Sequence, residues 1–72
     1  MFTVVKIELT DDGATYRHIK YRSKTLHECW NYVFNQALHP NKIIRDTAKE
    51  LFVFDPLDKM VPYVPRFLKQ VL

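Results

Sequence analysis

The sequence predicts an α+β fold in which an N-terminal antiparallel β-hairpin precedes two amphipathic helices and a proline-broken, short helical C-terminal segment (ββαα). Three observations carry this prediction. Two β-rich runs flank Asp11-Asp12-Gly13, apolar residues then recur at steps of three and four from Leu26 to Leu38, and Pro40, Pro56, Pro62 and Pro65 punctuate the C-terminal half.

The hairpin is "FTVVKIELTDDGATYRHIKYR". Gly13 tolerates the left-handed geometry that closes a three-residue loop. Thr10 is therefore expected to face Ala14, Val5 to face Ile19 and Thr3 to face Tyr21. That register gathers Val5, Ile7, Leu9, Ile19 and Tyr21 on an inner face, with Arg17 at its edge, and puts Lys6, Glu8, Tyr16, His18, Lys20 and Arg22 outside. A two-residue turn centred on Asp12-Gly13 would instead pair Val5 with Lys20 and mix polar and apolar residues on both faces.

"TLHE", Thr25 to Glu28, has the spacing of a capping box, in which the Thr25 hydroxyl and the Glu28 carboxylate each accept from the other's amide. From this start Leu26, Cys29, Trp30, Val33, Phe34, Ala37 and Leu38 form one apolar stripe. His27, Glu28, Asn31, Asn35 and Gln36 line the opposite side. Pro40 disfavours helical geometry at His39 and stops the helix. Asn41 then caps a second helix from Lys42, with Ile44, Thr47, Ala48, Leu51 and Phe52 inside and Lys42, Arg45, Asp46, Lys49 and Glu50 outside. "LFVF", residues 51–54, also suits a short third strand beside the hairpin, which needs a strand or a helix to cover it. Asp55-Pro56 starts one short turn, and Pro65 opens a last helix whose Phe67, Leu68, Val71 and Leu72 share a face.

Seventy-two residues with 47% hydrophobic and 14% aromatic content fit a single small domain spanning 1–72. The lone Cys29 excludes an intrachain disulfide and a cysteine-based zinc site, and it suits a reducing compartment, with the cytoplasm as the expected location. No apolar run approaches the roughly 18 residues of a membrane span, and Lys6 and Glu8 interrupt the stretch where a signal peptide would be apolar, so an unprocessed chain away from the membrane is expected. One glycine cannot build a Gly-rich phosphate cradle, which removes nucleotide-hydrolysing and dinucleotide-binding readings. No cofactor is expected.

The residues give no support to an enzyme either. "HECWN" begins like the helix of zinc proteases but has Asn31 where the second histidine belongs, and His39 lies about 18 Å along the helix from His27. His27 and Cys29 stand two residues apart, so a helix points them to nearly opposite sides and they do not form a nucleophile and its base. Cys29 belongs to the apolar stripe and reads as a small core hydrophobe. Asp11 with Asp12, and Asp55 with Asp58, fit turn and cap roles. No catalytic residue and no metal site are assigned.

Charge, by contrast, is localised. Residues 15–24, "TYRHIKYRSK", hold four cations and two tyrosines with no acid. Lys6, Tyr16, His18, Lys20, Arg22 and Lys24 are the candidate contact residues, because strand cations neutralise phosphates or carboxylates and an exposed tyrosine stacks or packs. Tyr32, on the otherwise polar side of the first helix, joins them as a candidate anchor; a tyrosine buried beneath the C-terminal segment is the competing account. Solvated strands also need polar faces, edge lysines deter aggregation, and a net charge of +3 is modest. The apolar residues between Met60 and Leu72 exceed what covers one hairpin and offer a homodimer face or a partner site.

In size, and in the order of a hairpin before a capped helix, residues 3–38 resemble small bacteriophage and mobile-element proteins that disable host machinery. The resemblance is one of pattern, and it transfers no functional residue. The resemblance implies a bacteriophage or mobile-element origin, while the basic hairpin face and its neighbouring aromatics lead us to expect a non-enzymatic binding protein that uses them to occupy the surface of a larger macromolecular partner, most naturally a protein, and so to modulate or inhibit it. A small basic nucleic-acid-binding protein using the outer hairpin face is the alternative.

Overall fold

The computed structural model describes residues 1–70. Its first element is the hairpin of β1 (Phe2–Leu9) and β2 (Thr15–Ser23). Gly13 takes a φ of 85°, the Thr10 amide donates to the Ala14 carbonyl at 2.8 Å, and the Gly13 amide donates to the Thr10 carbonyl at 3.0 Å. The Thr10 hydroxyl and the Ala14 amide both donate to the Asp12 carboxylate, which fastens the loop. Val5 faces Ile19 as the loop predicts, but the register shifts between Val4 and Val5. Lys20 is left without a partner, Val4 faces Tyr21, and Thr3 faces Arg22 where Tyr21 was expected. An extra residue of this kind is a β-bulge, and it returns two successive side chains to the same side of the sheet.

The segment that suited two readings is a strand. β3 (Leu51–Phe54) pairs antiparallel with β1, placing Val53 opposite Val4 and Phe52 opposite Val5, so the sheet order is β2-β1-β3. The second helix therefore ends sooner than its apolar pattern predicts, and Leu51 and Phe52 do not extend its inner face. A run of aromatic and β-branched residues satisfies the free edge of β1, which a helix would have left unpaired.

α1 (Leu26–Ala37) starts where the capping residues predict, with the Thr25 hydroxyl accepting from the Glu28 amide at 3.3 Å. The reciprocal half runs through a third residue: the Thr25 amide donates to the Ser23 hydroxyl at 3.2 Å, and Ser23 donates to the Glu28 carboxylate. The last residue of β2 and the first turn of α1 are thereby tied together. α2 (Lys42–Ala48) is capped by Asn41, whose side-chain oxygen accepts from the amides of Ile43 and Ile44 at 2.9 and 3.4 Å. Beyond β3 the Asp55 carboxylate accepts from the amides of Leu57 and Lys59, both at 2.9 Å, and turns the chain back on itself. The Val61 amide then donates to the Val53 carbonyl at 2.8 Å and Met60 bridges Phe54, which covers the C-terminal half of the outer edge of β3. α3 (Arg66–Lys69) follows Pro65 and buries Leu68; Val71 and Leu72, assigned from sequence to its inner face, lie outside the described residues.

The core joins Val4, Cys29, Trp30, Val33, Val53 and Leu68, with Phe2, Tyr21, Leu26 and Leu51 packed around them. Strand alternation then puts Thr3, Val5, Ile7, Leu9, Arg17, Ile19, Arg22, Phe52 and Phe54 on the other face of the sheet, away from the helices. The face predicted to be inner is thus the uncovered one, except for Tyr21, which the bulge moves beneath the helices. Leu38, predicted on the buried stripe of the first helix, is 54% exposed because α1 ends at Ala37.

Leu68 is fully buried and Leu57 is 76% exposed, so truncation should separate them sharply. Leu68→Ala is expected to cost about 2–5 kcal/mol in urea unfolding, and Leu57→Ala about 0.5 kcal/mol or less. The hairpin loop has a pH signature as well. The Thr10 hydroxyl, and then the Ala14 amide, hold the Asp12 carboxyl below its ordinary range. A lowered folded-state value stabilises above the unfolded carboxylate pKa of about 4 and loses that contribution as pH falls through the folded value. Replacing Asp12 by Asn should therefore reduce the acid-side decline in urea midpoint while leaving the midpoint above pH 5 comparatively flat.

Candidate functional site

The uncovered sheet face is built in rows across the strands. Its central row is Ile19, Val5 and Phe52, one residue from each strand, and a second row is Arg22, Thr3 and Phe54. Val5 is buried between large neighbours, whereas Ile19 is 50% exposed and Phe52 37% exposed. Leu9 extends the apolar surface toward the hairpin loop and is 71% exposed. Arg17 crosses this face with its guanidinium 4.4 Å from the centre of the Phe54 ring and 2.9 Å from the Asp58 carboxylate. Asp58 holds a φ of 60° in the turn that delivers it. The result is an apolar band bounded by Arg17 and Arg22, with an aromatic ring beneath one of them.

The residues assigned from the charge pattern divide between the two faces. Lys6, Tyr16, His18 and Lys20 lie on the helix side of the sheet, and Arg22 lies on the uncovered side. The expected outer strand face is therefore corrected in two respects: it is the side toward the helices, and the bulge removes Arg22 from it. Lys6 is 3.8 Å from the Glu50 carboxylate, and His18 Nε2 is 2.8 Å from that of Glu8. Tyr16 is exposed beside them, and Lys24 is exposed in the short link to α1.

Tyr32 is half-buried and stacks on Tyr21, with ring centres 4.9 Å apart and planes 9° from parallel. On its other flank Tyr32 joins Lys20 at a cleft of about 200 Å³ whose floor is Ile44, Ala48 and Leu51. Lys20 and Tyr32 are thus the members of the predicted set that the fold brings together at a concave surface. A larger hollow of about 360 Å³ lies under the C-terminal segment, between Trp30, Leu51, Val53, Val61 and Val64. Among the described residues Lys49 is the one charged residue lining that hollow, which leaves little to orient a polar ligand.

Ile19, Phe52 and Arg17 are the features that sequence reasoning left out of the site. A signal for them existed in "LFVF": once Val53 is placed inward in a strand, Phe52 and Phe54 must face the other way. Among the described residues, no three of His, Cys, Asp and Glu converge as a metal-binding group, and no helix is long and apolar enough to cross a membrane. No family model matches the chain, and comparison with curated proteins and with solved structures finds no significant match.

Cys29 is fully buried in the core. Burial pushes its thiol above the ordinary range, and the neighbouring charge of Glu28 pushes in the same direction against a hydrogen bond with the Ser23 backbone. The thiolate is the reactive form, so Cys29 is expected to resist iodoacetamide at pH 7.5 in the folded protein and to be alkylated at the rate of a free thiol in denaturing urea. Mass spectrometry of timed aliquots checks this; rapid alkylation without denaturant would place the thiol outside the core.

Proposed function

We propose that this chain is a non-enzymatic binding protein that modulates or inhibits a larger protein by occupying its surface. The observation that carries this reading is the apolar row of Ile19, Val5 and Phe52 on a sheet face that the helices leave uncovered. A small protein that leaves Ile19 and Phe52 half-exposed on either side of a buried Val5 forgoes burial that folding alone would favour. Arg17, which crosses that band, and Arg22 beside it give it the composition of an interface centre, where arginine and aromatic residues are enriched and lysine is depleted. The cations of β2 would speed encounter with an acidic partner surface, and the apolar row would hold it.

The same features weigh against phosphate binding as the main activity. Lys6 and His18 already lie against carboxylates, and Lys20 and Arg22 project from opposite faces of the sheet. Phosphate-driven affinity comes from several cations that follow one backbone together.

A photo-crosslinking residue at position 19 should trap a protein of defined mass in the native host, and one in place of Ile43, 76% exposed on α2, should trap none. Ile19→Asp is expected to lower recovery of that partner at least about tenfold, with the circular dichroism of the folded protein retained. Equal trapping from both positions, or covalent recovery of nucleic acid from position 19, would overturn the assignment.

A further inference from the structure

The two edges of the sheet are unlike. Beyond β3, which is four residues long, the Val61 amide donates to the Val53 carbonyl and Met60 bridges Phe54, so half of that short edge is already covered. β2 forms the other edge, and among the described residues no strand pairs with its outer side. It is nine residues long, and Thr15 to Lys20 are all exposed. Because the Thr10 amide bonds the Ala14 carbonyl, the alternation of an antiparallel ladder turns the backbone groups of Arg17 and Ile19 away from β1, toward the free edge. A row of unpaired amides and carbonyls on a strand of this length is a template for a further strand.

Charge selects which strand. Residues 15–24 carry Arg17, Lys20, Arg22 and Lys24 and no acid. Among the described residues Arg17 pairs with Asp58, while no carboxylate lies within 4.0 Å of the charged groups of Lys20, Arg22 or Lys24. A second copy of β2 would set one acid-free cationic strand against another, and like charges across a strand pair are destabilising. The cations that deter self-pairing attract a strand bearing carboxylates. The bulge sends Lys20 to the helix side and Arg22 to the uncovered side, so both faces of an added strand would find a cation. On the uncovered side, apolar residues of that strand would extend the row of Ile19, Val5 and Phe52.

We infer that β2 is the docking edge for an acidic, extended segment of a protein partner, which adds to the sheet as a fourth strand by main-chain hydrogen bonds, alternating apolar side chains toward Ile19 with carboxylates toward Lys20. This inference rests on the protein-binding reading and gives it a mode and a partner chemistry.

The test uses the full chain, labelled with ¹⁵N, and three capped heptapeptides: alternating Glu and Val, alternating Lys and Val, and the Glu/Val peptide methylated on the backbone nitrogens of one edge. The Glu/Val peptide is expected to shift the amide signals of Arg17 and Ile19 and to slow their hydrogen exchange. Lys20→Glu with Arg22→Glu should weaken it at least tenfold, the methylated peptide should bind at least tenfold more weakly, and the Lys/Val peptide should not saturate. Binding of the Glu/Val peptide that perturbs the side chains of Leu9, Ile19 and Phe52 without protecting the β2 amides, and that survives methylation, would overturn strand addition while leaving the uncovered face as the binding surface. No saturation by any peptide at millimolar concentration, or equal binding of the Lys/Val peptide, would overturn the inference alone if the crosslink at position 19 still traps a protein. Saturation of the same amides by a labelled oligothymidylate, with affinity falling steeply as salt rises, would overturn both readings. Concentration-dependent dimerisation that protects β2 would replace the acidic segment with a second copy.

Discussion

The bulge at Lys20 decides which residues of β2 face the helices. Before it, counting from the loop, Ile19 and Val5 share one face; after it, Tyr21 and Val4 share the other. One unpaired residue therefore lets a strand contribute Tyr21 to the helix-covered interior and Ile19 to the uncovered face. Tyr21 then stacks on Tyr32 of α1, and Ser23 ties the strand end to the first turn of that helix through Thr25 and Glu28. Without the extra residue, Tyr21 and Ile19 would share a face, and β2 could not place Tyr21 under the helices while keeping Ile19 on the uncovered side. Consecutive valines on the central strand face opposite sides by ordinary alternation, and both are buried, Val4 beside Tyr21 and Val53, Val5 beside Ile19 and Phe52.

Much of the fold was legible because its determinants are local. The three-residue loop at Gly13, the caps at Thr25 and Asn41, and the stop before Pro40 each depend on residues within a few positions of one another. β3 was ambiguous for the opposite reason. Leu51 to Phe54 fits the end of a helical stripe as well as a strand, and what settles it is the vacant edge of β1, remote in the chain. The bulge left no mark in composition, since Lys20 is neither glycine nor a turn residue. Alternation of side chains therefore predicted the right register near the loop and wrongly put the more apolar face on the helix side.

The candidate site was legible to the same extent. The cationic character of β2 could be read directly, because it is a property of one continuous stretch. The apolar row could not, because Ile19, Val5 and Phe52 come from three strands and meet only after β3 has paired. The separation of Lys20 from Arg22 follows from the bulge and shares its invisibility. Tyr32 lay between two accounts, and its half-buried stack on Tyr21 fits neither a free anchor nor a residue packed beneath the C-terminal segment.

The turn made by Asp55 has an effect beyond its own geometry. By folding Met60 and Val61 back against β3, it leaves a sheet with one edge partly covered and the other vacant among the described residues. Growth of a β-assembly requires each unit to accept a neighbour on one side and offer a vacant side to the next. A molecule whose second edge is partly covered by its own chain offers a poorer template there, which favours a closed complex over a propagating fibre.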